Sequence, residues 1–97
     1  MEDTSCYIVL NIKTPAGYET YDKFFLGKNK AFAYEVFNKL KGDEVFDETS
    51  VLYLDLVEMS AGLPVNMNIL SCTIEQLAEN IKIITREVFK AINLENR

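Results

Sequence analysis

The chain has no histidine and only two cysteines, and these absences remove most common catalytic and metal chemistries. Without imidazole, histidine-based acid–base catalysis is excluded. Zinc sites that use histidine go with it, and Cys6 and Cys72 alone cannot complete a four-cysteine site. A secreted chain of this size held by disulfides usually carries more cysteines, so two isolated thiols point to a reducing compartment, the cytoplasm. No apolar run approaches the roughly 20 residues of a membrane span. The opening Met1-Glu2-Asp3-Thr4 is acidic and lacks the basic start of a secretory signal. Ten Lys and Arg against fifteen Asp and Glu leave a net charge of −5. That balance argues against general binding to nucleic acid or to anionic membranes.

What is present is the composition of one globular domain, 1–97, with polar ends at 1–5 and 95–97 expected to fray. The clearest signal runs from Thr73 to Asn93. Thr73-Ile74-Glu75-Gln76 is a capping box, in which the Thr73 hydroxyl and the Gln76 side chain each satisfy an orphan backbone N–H. Cys72, one residue earlier, is placed to pack against Leu77 as a hydrophobic staple. Ile74, Leu77, Ala78, Ile81, Ile84, Val88 and Ile92 then recur at three- and four-residue steps, which predicts an amphipathic helix about 30 Å long. Ile83 points nearly opposite that stripe, into the charged face. It reads either as a singly exposed isoleucine or as a contact for a partner.

Four segments read as strands: Cys6–Lys13, Tyr18–Leu26, Ser50–Met59 and Val65–Ser71. Pro15 and Gly17 predict a turn in the first hairpin, and Ser60-Ala61-Gly62 a short loop in the second. The register of 18–26 is ambiguous. Asn29 is a candidate N-cap for a shorter helix through Lys41, with Gly42 as its stop. In the acidic loop that follows, Phe46 is expected to tuck inward. The order ββαββα predicts an α+β two-layer sandwich, with a four-stranded antiparallel sheet and both helices packed on one face.

The other sheet face then needs an account. Tyr7 and Val9 of the first strand and Val51, Tyr53, Val57 and Met59 of the third remain there, joined by Tyr21 and Phe25 if the register permits. Such a face is either ordinary strand surface or, with Ile83, an interface to a second copy or another protein. Asp55 sits among these residues and needs a partner, from Asn, Tyr, Lys13 or Lys23. Stacking of single-stranded RNA on the aromatics is disfavoured by the acidic balance.

Other features carry weaker signals. Lys28, Asn29 and Lys30 open a helix and read as a turn with a cap, or as a small-anion site. Asn66 and Asn68 are two apart on one strand and so share a face, where they could donate to a ligand. Cys72 precedes a helix N-terminus, where a thiol is sometimes activated, but it lacks a base and a CxxC partner. Asp43, Glu44, Asp47 and Glu48 lack the ligand spacing of a calcium loop. No catalytic residue, metal or cofactor is expected. The function expected is a small cytoplasmic, non-enzymatic protein-interaction module, homodimeric through the open sheet face. The alternative is a small-molecule-binding domain with a pocket between helices and sheet or at the dimer seam, using Asn66, Asn68 or Asp55.

Overall fold

The computed structural model describes residues 4–43 and 50–95, with side chains described as far as residue 92. Its elements are β1 (Thr4–Thr14), β2 (Gly17–Gly27), α1 (Lys30–Asn38), β3 (Leu52–Ser60), β4 (Leu63–Cys72) and α2 (Ile74–Glu95). The four strands form one antiparallel sheet in the order β2-β1-β3-β4. The first strands of the two hairpins are therefore central and the second strands are edges. Pro64 lies on edge strand β4, where a missing N–H is tolerated.

The alternation of β1 and β3 decides which side is covered. Cys6, Ile8 and Leu10 of β1 and Leu52, Leu54 and Leu56 of β3 form one buried core with Ala33, Val36 and Phe37 of α1 and Ile84 of α2. The fold is thus an α+β arrangement with both helices on the same face, as the element order predicts. Full burial of side chains such as Ile8, Leu54, Leu56 and Ile84 contributes about 1.5–3 kcal/mol each.

The register left open in the sequence is set by bulges. β1 pairs with β2 from Cys6↔Gly27 to Thr14↔Gly17, with shifts between Cys6 and Tyr7 and between Leu10 and Asn11. Phe24 thereby falls opposite Ile8 on the helix side, and Phe25 opposite Tyr7 on the open side. A third shift lies between Leu56 and Val57 in the β3–β4 pairing. At the β3–β4 turn both Ala61 (φ 53°) and Gly62 (φ 80°) take positive φ, the geometry a two-residue hairpin favours.

Helix α1 starts where expected: the Asn29 side chain accepts from the Phe32 N–H at 3.1 Å. It ends earlier than Lys41, with Lys39 as its C-cap. Gly42 has a reason other than stopping the helix. It holds φ at +156°, and Asp43 forms a two-way backbone bridge to Ser71 of β4, both bonds 2.8 Å. A Cβ at Gly42 would run into the Ser71 carbonyl and the Leu70 side chain. Only glycine permits this approach. Phe46, Glu44, Asp47 and Glu48 lie outside the described residues.

Helix α2 begins with the capping box: Gln76 N–H donates to Thr73 Oγ1 at 3.1 Å, and Thr73 N–H to Gln76 Oε1 at 2.9 Å. Its rotation differs from the one its apolar stripe predicts. Ile83 is 7% exposed, inside the protein rather than on its charged face, while Ile74, Ala78, Ile81 and Ile92 are exposed. Two polar residues account for the turn. Asn80 is fully buried and grips both backbone groups of Lys41. Glu87, also buried, accepts from Lys39 Nζ at 2.9 Å. Both bonds tie α2 to the C-terminal end of α1, so the helix presents Asn80, Ile83 and Glu87 inward and lifts one apolar flank out of the core.

Candidate functional site

On the sheet face away from the helices, the side chains enclose a concavity of about 470 Å³. β1 contributes Tyr7, Val9 and Asn11, β2 Thr20 and Lys23, β3 Asp55, Val57 and Met59, and β4 Pro64 and Asn66. The bulges make this set possible. The shift at Leu10/Asn11 places Thr20 opposite Asn11, and the one at Leu56/Val57 places Asn66 opposite Val57.

Asp55 is central to the site. Its cross-strand neighbours are Val9 and Ile69, both apolar. It is 8% exposed, and burial pushes its carboxyl up to about 6. One oxygen, Oδ2, accepts from Asn11 Nδ2 at 3.3 Å, a long bond. Asn11 is oriented in turn by Thr20, whose hydroxyl donates to Asn11 Oδ1 at 2.8 Å. The other oxygen, Oδ1, is buried and accepts from no group among the described residues. A buried acceptor left in this condition costs on the order of 1–3 kcal/mol.

The aromatic rim has two clusters. Tyr7 and Phe25 are 5.3 Å apart between ring centroids, and Phe25 is half exposed. Further along the face, Tyr18 meets Tyr53 edge-on at 5.0 Å, and the Tyr18 hydroxyl donates to the Ser50 carbonyl. Burial pushes the Tyr53 phenol up, with the Asp55 charge adding to it.

The residues singled out in the sequence separate into groups. Tyr7, Val9, Val57, Met59, Asp55 and Asn66 come together around the concavity. Tyr53 lies on the same face beside Tyr18. Val57 is less available than expected, because neighbouring side chains already bury it. Val51 precedes β3 and lines a separate hollow with Leu52, Cys72, Ile74 and Leu77. Ile83 is in the core. Asn68 does not share a face with Asn66: the bulge sets it opposite Leu56, on the helix side, and its side-chain oxygen accepts from Ile69 N–H at 3.1 Å.

At the start of α1, the groups an anion would use are engaged. Asn29 caps the helix, and Lys30 reaches Glu58 at 3.5 Å. Lys28 borders a different hollow, between β2 and the end of α2. Cys72 is not activated, since burial pushes its thiol up. Among the described residues, no three cysteine or carboxylate side chains gather where they could hold a metal ion, and no helix is long and apolar enough to cross a membrane.

Asn11, Thr20, Lys23 and Pro64 were not singled out as site residues. Asn11 had a signal, a polar amide inside a β-branched strand on the same face as Tyr7 and Val9. Thr20 had none, because the Tyr21 bulge changes its side. No protein-family model, curated protein or solved structure matches the chain.

Proposed function

We propose that the chain is a non-enzymatic binding module whose working surface is the open sheet face, with a small cationic ligand as its occupant. The observation that carries this reading is the orphaned Oδ1 of Asp55, buried at a concavity of about 470 Å³. A site of that size with apolar walls and a few convergent polar groups suits a small organic molecule. Once the side chains that cover Oδ1 part, a primary amine or guanidinium supplies the missing donor, and its charge also offsets the cost of keeping a carboxylate away from water. Val9, Val57 and Met59 form an apolar wall for the body of such a ligand, and Asn66 offers a further amide. The two free thiols, Cys6 and Cys72, support a cytoplasmic setting.

The test is a thermal-shift and NMR titration with benzylamine, agmatine and arginine methyl ester, using acetate and benzyl alcohol as anionic and neutral controls. A ligand that binds only the native state raises the melting temperature. The cations should raise it and perturb the amides of Val9, Asp55 and Val57, and Asp55→Asn should abolish both effects. Equal responses in Asp55→Asn, or no response to any cation, would sink the proposal.

A protein occupant is the second reading, favoured by the exposed Phe25 ring tilted against Tyr7. Such a partner would bring a lysine or arginine to Asp55. A second copy docked on this face about a two-fold axis passing close to Asp55 would bring two buried carboxylates toward each other, so a sheet-face homodimer needs its axis elsewhere on the face.

A further inference from the structure

The rotation of α2 leaves an apolar flank outside the core. Ile74, Ala78, Ile81, Thr85, Phe89 and Ile92 follow at three- and four-residue steps and fall within about 80° of the helix circumference. Ile74 is 72% exposed, Phe89 66% and Ile92 50%. The flank continues onto the helix side of the sheet, where Ile12 and Phe24 are only partly buried. Helix propensity and capping do not require any of these residues to be large and apolar.

The charges beside this flank are distributed unevenly along α2. Glu75 and Glu79 occupy its first two turns, Lys82 lies near the middle, and Arg86 and Lys90 occupy the second half. A parallel partner would meet like charge with like. An antiparallel copy related by a two-fold axis near residue 83 meets opposite charge instead. Ile74 then faces Ile92 of the second copy and Ile81 faces Thr85, while Glu79 lies beside Arg86 and Glu75 beside Lys90, each pair occurring twice; the two Lys82 side chains meet near the axis and offset part of that attraction. Within one chain Glu79 and Arg86 are seven residues apart, about 10 Å along the axis, so they are not each other's neighbours. Arg86 and Lys90 do reach Glu87, at 3.8 and 3.5 Å, but both side chains are more than half exposed.

We infer that α2 is a self-complementary docking surface, and that a second copy of this chain binds it antiparallel through Ile74, Ile81, Phe89 and Ile92. The exposed apolar side chains offer on the order of 500 Å² per copy, and with the flanking residues the pair approaches the ~1,200 Å² in total of a small stable interface. This arrangement leaves the Asp55 concavity open in both copies, so it is independent of the ligand proposal.

The experiment is sedimentation equilibrium of the full chain at tens of micromolar, with circular dichroism to check folding. The wild type should be a dimer. Phe89→Glu and Ile81→Glu should each raise the dissociation constant at least tenfold with helix content unchanged. Glu79→Arg and Arg86→Glu should each weaken the dimer, and the double exchange should restore it, which a purely structural role for either residue does not produce. Tyr53→Ser, on the open sheet face beside Tyr18, should leave the dimer intact. A monomeric wild type, a dimer indifferent to Phe89→Glu and Ile81→Glu, a double exchange no tighter than the single ones, or a folded Tyr53→Ser that loses the dimer would each overturn the inference.

Discussion

Asn80 holds both backbone groups of Lys41: its Oδ1 accepts from the Lys41 N–H at 2.7 Å, and its Nδ2 donates to the Lys41 carbonyl at 2.9 Å. The amide is fully buried. A polar residue on α2 thus takes a core position because the chain just past α1 has backbone groups that no helix or strand satisfies. That pair of bonds sets the rotation of α2, and with it which isoleucines are inside and which are out.

Replacing Asn80 with alanine or leucine removes both part-buried hydrogen bonds to the Lys41 backbone. The expected loss is about 2 kcal/mol of stability, since each such bond contributes on the order of 0.5–1.5 kcal/mol. Urea unfolding measures it. A loss below about 1 kcal/mol would mean that Lys41 finds water or that α2 rotates to bury its apolar flank instead.

Asp55 predicts an uncommon pH dependence. Its folded-state carboxyl sits at about 6, above the ordinary 3.8. Below the ordinary value both states are protonated and the residue costs nothing. As pH rises from there toward 6, only the unfolded state ionises, so stability falls, and the full penalty remains above 6. The size is roughly 3 kcal/mol by linkage. Asp55→Asn should therefore gain on the wild type by about that amount between pH 4 and pH 7, in urea midpoints taken across the range. A constant gap between the two proteins would show that burial does not perturb Asp55. Glu87 acts in the opposite sense. The hydrogen bond from Lys39 lowers its pKa, so its contribution is present above the ordinary carboxylate value and is lost as pH falls through its lowered one. Comparing Asp55→Asn with wild type cancels that effect.

Gly42→Ala should be strongly destabilising although the residue is on the surface. The added Cβ meets the Ser71 carbonyl and comes within 2.8 Å of Leu70 Cγ, at a backbone φ of +156° that side chains rarely adopt. Overpacking of this kind costs about 1–3 kcal/mol. Amide exchange should show the loss concentrated at Ser71 and Asp43, whose mutual bonds break first. Unchanged protection at both amides would mean that the edge of β4 yields without cost.

Local chemistry determined much of this protein. The period-two pattern of Ile8, Leu10 and Ile12 and of Leu52, Leu54 and Leu56 fixed the buried sheet face, because side chains alternate along a strand. The Thr73–Gln76 box and Asn29 fixed the helix starts, because their bonds span only three residues. Tyr7, Val9, Asp55 and Val57 could be placed on one surface by the same alternation. Three things required tertiary structure. The bulges that separate Asn66 from Asn68 and bring Thr20 to Asn11 answer to pairing with another strand, which leaves no period in the bulged strand itself. The depth of Asp55 comes from neighbours on other strands, Val9 and Ile69 among them. The rotation of α2 was hidden because its apolar stripe is wider than the face it buries, and the choice within it was made by Lys39 and Lys41, 48 and 39 residues from their partners Glu87 and Asn80 along the chain.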